Sequence, residues 1–254
     1  MGIRERLIEA VKKEEGKVGL CLSGGIDSTC VLEAMLAKEL IPTCYVARFG
    51  VEGDQVDMAQ EVADYFKVPL VVVDILGFLK ELPTILYCFP FPRFNVWPHW
   101  VMRQAHADGV TAMYCGEGAD ELAGYGDRSY LEGWAGQLVY VFPVWATLAK
   151  AFGIRLEAPF MALEPSLDYT KALPPNLELF RPFNKDKLRE AYRGILPPFV
   201  LDRPSIAPAG AFYKMAAREL GMDGCSDLNR IKSELQRVSA EAWLETRAMG
   251  GENV

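Results

Sequence analysis

Short apolar runs rich in β-branched residues alternate with amphipathic segments of helical period through the first half of the chain. The apolar runs have the length of strands, and their uniform hydrophobicity is typical of parallel strands buried on both faces. The alternation therefore predicts an α/β fold, a parallel sheet with helices on both faces. The predicted elements are helix 3–14, strand 17–22, helix 26–39, strand 42–48, helix 54–66, strand 68–74, helix 97–107 and strand 110–115.

After about residue 127 the pattern changes to helical segments separated by prolines. Because proline interrupts helices, it should separate these helices from one another. We expect an α/β core over 1–127 and a helical lobe over 128–254 that covers the sheet edge, the two forming one integrated domain. The predicted helices of this lobe are 129–151, 185–195, 210–220 and 227–247.

Composition narrows the classes of partner. The net charge of −7 over 254 residues makes nucleic acid an unlikely main partner, although one local basic site can still bind phosphate.

The six cysteines lack CxxC spacing and mostly lie in apolar runs, which indicates buried thiols in a reducing cytoplasm. No apolar run has the length of a membrane span. The aromatic-rich segment 86–100 is either covered core or an exposed patch for a homodimer.

The sequence SGGIDST, residues 23–29, joins the first predicted strand to the following helix. Such a turn gathers backbone N–H groups at the positive end of a helix dipole, and the missing Cβ atoms let an anion approach. Phosphate is the expected ligand, with hydroxyl donors from Ser23, Ser28 and Thr29. Asp27 fits beside a phosphate if it holds Mg²⁺ or a hydrogen-bond donor. The alternative is an ordinary turn with Ser23 as helix cap.

A second motif, YCGEGADELAGYG at residues 114–126, follows the fourth predicted strand. It places Glu117, Asp120 and Glu121 within five residues. Carboxylates this close are costly unless a metal, a cationic substrate or solvent compensates their charge. The alternative is a solvated acidic helix start, for which the flanking glycines are unusual. Both motifs follow parallel strands, so both are expected at the carboxyl edge of the sheet.

Together the two motifs resemble those of the N-type PP-loop ATP pyrophosphatases, whose signature is SGGxDS after the first strand. GEGADE followed by a Gly-Tyr pair is similar to the GEGSDE and GGY segment in the synthetase domain of asparagine synthetase B and β-lactam synthetase. Cys115 and Ala119 stand where that family has serines. Weaker similarity covers segments 48–66, 152–168 and 183–204. The resemblance implies an adenine nucleotide alpha hydrolase-like, Rossmann-like fold.

The resemblance also implies an activity. The protein would be an ATP-dependent ligase that adenylates a carboxylate, releases pyrophosphate and lets ammonia or another amine attack the acyl-adenylate, with AMP as product. By the same resemblance, Asp27 and Asp120 would hold Mg²⁺, Glu117 would orient or deprotonate the amine, and Arg93 would bind a carboxylate or pyrophosphate. The residues implied to bind ATP are Cys21, Ser23, Gly24, Gly25, Asp27, Ser28, Thr29, Phe49, Cys115 and Gly116.

The sequence departs from the family pattern in several places. The glutaminase domain of asparagine synthetase would precede the PP-loop, where one helix is predicted, so the resemblance implies ammonia, another amine or a separate amidotransferase subunit as nitrogen source. The RxK segment reads Arg203, Pro204 and Ser205, without its lysine. Glu157 and Ala162 replace the arginine and aspartate of the RVPFLD segment. These changes argue against aspartate as the substrate more strongly than against ATP as the cofactor.

Two alternatives stay open at this level. PP-loop enzymes that thiolate tRNA or form lysidine adenylate a base instead of a carboxylate; the acidic charge and the missing CxxC pair count against them, while Cys88 or Cys115 is a candidate lone nucleophile. The other alternative is a nucleotide-binding module that has kept the phosphate-binding loop and lost the residues needed for amide formation. Ser205 and Ala162 favour such a module, and the intact SGGIDS and GEGADE motifs oppose it.

Overall fold

A computed structural model describes residues 2–120, 141–163, 185–203 and 209–250. Within these ranges the chain forms a five-stranded, entirely parallel sheet flanked by helices, which confirms the predicted α/β fold. The strands are β1 Lys17–Cys21, β2 Thr43–Arg48, β3 Leu70–Asp74, β4 Val110–Tyr114 and β5 Arg155–Glu157. The helices are α1 Ile3–Ala10, α2 Ile26–Ala37, α3 Val56–Phe66, α4 Phe78–Leu86, α5 Pro98–Ala107, α6 Phe142–Ala151, α7 Lys185–Ala191, α8 Pro198–Leu201, α9 Ala209–Glu219 and α10 Leu228–Gly250.

The strand order β3-β2-β1-β4-β5 places β1 at the centre. Leu20 of β1 is in register with Cys44 of β2 on one side and with Tyr114 of β4 on the other. The order reverses between β1 and β4, and ligands of open parallel sheets bind in the crevice outside the strands at such a point. The SGGIDST and GEGADE loops follow these two strands, so the topology brings both motifs to this crevice.

Each face of the sheet supports its own core. Leu20, Val46 and Tyr114 belong to the core shared with α1, α2 and α3, whereas Tyr45 and Met113 belong to the core on the opposite face. Because successive strand residues alternate between faces, a strand buried on both sides must be apolar throughout. This explains the uniform hydrophobicity of the strand segments.

Strand β5, helix α4 and the four-residue helix α8 were not predicted from the sequence. Strand β5 has only three residues, Arg155–Glu157, and two of them are charged, so it lacks an apolar strand pattern. It extends the sheet from within the segment predicted as a helical lobe, through register with β4. Helix α4 contains Pro83, which ordinarily argues against a helix, and its first N–H groups are capped from a distant part of the chain.

That cap is the carboxylate of Glu219, at the end of α9. The backbone N–H groups of Phe78 and Leu79 donate to its two oxygens at 3.0 and 2.9 Å. We expect Glu219→Ala to lower the free energy of unfolding by about 1–2 kcal/mol, because two N–H groups lose their acceptor. Urea unfolding measures the change. Glu52→Ala is the control, since Glu52 is 95% exposed and should cost under about 0.5 kcal/mol. Equal losses in the two variants would refute the capping role.

The aromatic segment 86–100 is covered only in part. Phe89, Val96 and Trp100 are buried in the second core, while Tyr87 and Phe91 are exposed. The homodimer expected as one alternative stays a prediction. In the ranges that the structure describes, no helix combines the length and apolar character needed to cross a bilayer.

Candidate functional site

A cavity of about 200 Å³ lies at the carboxyl ends of β1, β2 and β4. Part of its wall is apolar and comes from strand ends and from helices of the second core. Trp97 stands edge-on to both Phe49 and Trp145, with ring centroids 5.6 and 5.2 Å apart. The polar part of the wall comes from the SGGIDST and GEGADE loops and from the segment 185–203. The cavity thus joins an aromatic wall to a charged one.

The hydroxyl groups of the SGGIDST loop hold the loop itself in shape. The Ser23 N–H donates to Ser28 Oγ at 3.2 Å, and the Gly25 N–H donates to Ser23 Oγ at 3.3 Å. Helix α2 begins after Gly25, which provides no side-chain cap, so the helix cap is Gly25 and not Ser23. The first turn of α2 therefore presents its positive end at the cavity, as an anion site requires.

Glycine is required at Gly24 of this turn, and a side chain is disfavoured at Gly116 of the GEGADE loop. Gly24 has φ +73°, and a Cβ atom there would lie 2.4 Å from the backbone carbonyl of Met58 in α3. A Cβ atom on Gly116 would lie 3.0 Å from the Ser28 nitrogen. The GEGADE loop therefore packs directly on the first turn of α2, which places the two motifs against each other.

Lys185, at the start of α7, joins the acidic residues of both motifs. Its ammonium contacts the Asp27 carboxylate and lies 2.8 Å from Asp120 Oδ1. Burial disfavours the charge on Lys185, but the two carboxylates outweigh this effect and raise its pKa. Burial raises the pKa of Asp27, and the Lys185 ammonium offsets part of that rise. The ammonium is therefore retained at neutral pH as a counter-ion of the pair.

Two arginines complete the basic part of the wall. Arg203 donates to the Gly24 carbonyl at 3.0 Å and forms an ion pair with Glu61 of α3, so it ties the turn to a neighbouring helix. Arg189, one turn after Lys185, lines the cavity and donates to the Leu201 carbonyl at 2.8 Å. Neither Lys185 nor Arg189 was predicted from the sequence as a site residue. Their i, i+4 spacing on one helix, opposite two acidic motifs, was the available signal.

Most residues implied by the resemblance meet at the cavity. Glu117 and Asp120 line it, together with these nucleotide-binding candidates: Cys21, Ser23, Gly25, Asp27, Ser28, Phe49, Cys115 and Gly116. Further lining residues that the sequence analysis missed are Tyr45, Ala47, Gln55, Trp97, Val101 and Trp145. Tyr45 and Ala47 lie in β2, and Gln55 and Trp97 immediately precede α3 and α5. Val101 and Trp145 lie in helices of the second core, and no local motif marks any of these positions.

Three candidates are not among the lining residues. Gly24 contributes through its backbone shape and its carbonyl, as described above. Thr29 is fully buried and its hydroxyl donates to the Gly25 carbonyl at 2.8 Å, so it stabilises the start of α2. The guanidinium of Arg93 lies 4.3 Å from the centre of the Phe91 ring, and its contact with a ligand stays a prediction. Glu121 and Ser205 lie outside the described residues.

The two cysteines of the cavity are neutral thiols. Burial raises the pKa of both Cys21 and Cys115, and the nearby Glu117 carboxylate raises each of them further. The thiolate is the nucleophilic form of cysteine. This electrostatic setting therefore opposes a nucleophilic role for Cys115.

Glu157, where the related family has arginine, lies at the end of β5 and outside the cavity lining. Its carboxylate pairs with Lys12 at 2.8 Å and with Arg155 at 2.7 Å. Lys12 follows α1, so the pair fastens the N-terminal segment to the sheet edge. In this chain the position is used for structure.

The sequence matches the asparagine synthase family model over residues 2–138, more than half of the chain. It is 33% identical over 147 residues to Amidase chry2 of Gibberella zeae, covering 48% of this chain and 22% of that protein. It is 30% identical over 132 residues to asparagine synthetase [glutamine-hydrolyzing] 1 of Bacillus subtilis, covering 48% and 21%. A probable asparagine synthetase of Acanthamoeba polyphaga mimivirus is 26% identical over 239 residues, covering 81% and 42%.

The chain thus spans less than half the length of these curated relatives. A solved structure, a predicted subunit of tRNA methyltransferase from Methanocaldococcus jannaschii, covers 70% of this chain and 86% of its own at 13% identity and a TM-score of 0.36, too low to compare the two sites. The family match includes both the SGGIDST and the GEGADE loops that form the cavity. The chain therefore belongs to the asparagine synthase family.

Proposed function

We propose that this protein uses ATP and Mg²⁺ to adenylate a carboxylate, and that ammonia or another amine then attacks the acyl-adenylate to give an amide and AMP. The observation that supports this is that the SGGIDST loop, the GEGADE loop and the basic segment 185–203 meet at one cavity. A phosphate chain needs donors and cations, and an amide-forming step needs a base beside them.

The cavity suggests how ATP would lie. The adenine ring would pack in the apolar part, which Cys21, Cys115 and the rings of Phe49 and Trp97 line. The β- and γ-phosphates would lie at the first turn of α2, where the helix dipole and backbone N–H groups favour anions. Arg189 and Arg203, which also line the cavity, would add positive charge there.

Asp27 and Asp120 suit Mg²⁺ by their chemistry and position. Their carboxylates reach the same Lys185 nitrogen, so oxygens of both lie near a single point. The described residues contain no group of three or more His, Cys, Asp or Glu side chains placed to hold a metal. Mg²⁺ is commonly bound by one or two carboxylates plus substrate phosphates and water, so two suffice. When bound, it would neutralise charge on the phosphates.

The protein's own groups would act mainly by positioning. The turn at residues 23–28 would bind the leaving pyrophosphate while the substrate carboxylate attacks the α-phosphorus, and donors placed where charge develops lower the barrier. Glu117 would then orient the incoming amine or accept its proton. Nitrogen would come from free ammonia, another amine or a separate amidotransferase subunit.

The test is release of AMP and pyrophosphate from ATP and Mg²⁺ with a panel of small carboxylic acids, each with and without ammonium. Equal amounts of AMP and pyrophosphate with one acid, with an amide formed only when ammonium is present, are the expected result. An enzyme that forms AMP only when tRNA is added would contradict the proposal in favour of a base-modifying enzyme. ATP binding without turnover across acids and tRNA would contradict it in favour of a binding module.

A further inference from the structure

We propose that the Lys185 ammonium competes with a divalent cation for the Asp27 and Asp120 carboxylates, so that metal binds tightly only together with ATP. This inference rests on the proposed nucleotide site. It makes Lys185 a positioning residue: it holds the two carboxylates together until Mg²⁺ arrives with the phosphates.

The contact geometry supports the competition. Lys185 touches Asp27 and lies 2.8 Å from Asp120 Oδ1, so its nitrogen occupies the point at which the two carboxylates converge. Its side chain is 17% exposed and that of Asp27 is 25% exposed, so water screens the cluster only in part. Mg²⁺ binds carboxylate oxygens at about 2.0–2.1 Å. A metal bridging the same two carboxylates would overlap the present position of the ammonium.

Charge balance sets which cation is preferred. One ammonium compensates a single negative charge of the carboxylate pair, whereas Mg²⁺ compensates both but leaves the displaced ammonium beside a divalent cation. That arrangement is unfavourable until an anion is added. The phosphates of ATP supply the anion, so metal and nucleotide should bind with strong mutual enhancement.

The surroundings indicate where the ammonium would go. Lys185 is the first residue of α7, and Arg189, one turn later on the same side of the helix, lines the cavity. Arg189 and Arg203 are held by the carbonyls of Leu201 and Gly24. Lys185 is instead held by two carboxylates that a metal can take from it, and a rotation about its flexible stem would bring it towards the phosphates beside Arg189.

Titration with Mn²⁺, followed by calorimetry and by the loss of the free-ion electron paramagnetic resonance signal, tests the competition without any turnover. We expect the wild-type protein to bind Mn²⁺ at least about tenfold more weakly without than with a non-hydrolysable ATP analogue. Lys185→Met keeps the stem and removes the charge, so it should bind Mn²⁺ alone at least about tenfold more tightly than wild type. Lys185→Arg should stay close to wild type.

Two controls localise the effect. Lys214→Met removes one charge from an exposed pair with Glu52, 3.6 Å apart, and should leave Mn²⁺ binding unchanged. The double variant Lys185→Met with Asp120→Asn should lose the gain. The proposal is overturned if Lys185→Met binds Mn²⁺ no better than wild type, or if the gain survives in the double variant. Should Lys185→Met fail to fold by circular dichroism, tight Mn²⁺ binding by wild type without nucleotide overturns it equally.

Failure here is distinguishable from failure of the proposed reaction. The metal titrations need no carboxylate substrate, and the release of AMP and pyrophosphate needs no Lys185 variant. Turnover with one acid together with metal binding that Lys185 does not oppose would overturn only the competition.

Discussion

Asp120→Asn is expected to lower the rate of AMP formation by about 100- to 1,000-fold while the protein stays folded. Asp120 is one of the two carboxylates that meet at Lys185, and the exchange removes a negatively charged oxygen ligand. Its side chain is 41% exposed, so the amide can be solvated and the stability cost should be small. The measurement is the steady-state rate with saturating ATP and varied Mg²⁺, alongside thermal unfolding.

Asp57→Asn is the matched control for this variant. Asp57 lies in the first turn of α3 and is exposed, so the exchange makes the same change of charge outside the cavity lining. Its rate should stay within about twofold of wild type, as for surface changes in general. If the Asp120→Asn enzyme keeps the rate of the control, Asp120 is not part of the site and the proposed metal position is wrong.

The second large effect is expected from Gly24→Ala. The backbone at Gly24 has φ +73°, and the added methyl group would lie 2.4 Å from the Met58 carbonyl in α3. The turn must therefore move away from α3, carrying its N–H groups out of position. We expect a loss of about 2–3 kcal/mol in stability and at least a 100-fold loss of ATP affinity, since a displacement near 1 Å is enough for such an effect. Calorimetric ATP titration and urea unfolding report the two quantities separately.

Gly53→Ala separates backbone strain from the clash. Gly53 also has a positive φ, +93°, but an added Cβ atom there meets no other atom within 4 Å. The control should lose about 1 kcal/mol of stability and keep its ATP affinity. If Gly24→Ala binds ATP as the control does, the turn at residues 23–28 does not hold the phosphates.

Much of the fold could be predicted because the pattern of apolar and polar residues in each element reflects how that element is buried in the folded protein. Strands β1, β2 and β4 are largely buried on both faces, and the edge strand β3 is apolar except for its last residue, so composition distinguishes all four. Among the helices between them, α3 carries ordinary amphipathic spacing, whereas α2 is buried along most of its length. Strand β5 and helix α4 could not be predicted in this way. The first is a three-residue addition to a sheet edge, and the second is completed by Glu219, which is 141 residues away from Phe78.

The candidate site likewise contains some features that could be predicted from local sequence and others that depend on contacts between distant residues. The SGGIDST and GEGADE motifs are contiguous and follow strands, so the sequence by itself determined the turn and its glycines, and the family resemblance implied the pair Asp27 and Asp120. Only the tertiary structure decided which cation lies between those carboxylates, since Lys185 is 158 residues from Asp27 and carries no motif of its own. The aromatic wall was likewise decided by packing, because Trp97 immediately precedes α5, Trp145 lies in α6, and these two separate helices pack together. A contiguous motif can be recognised in the sequence because its own residues fix its backbone geometry. Charges and rings from distant segments come together only when the chain folds, so the sequence alone does not reveal their contacts.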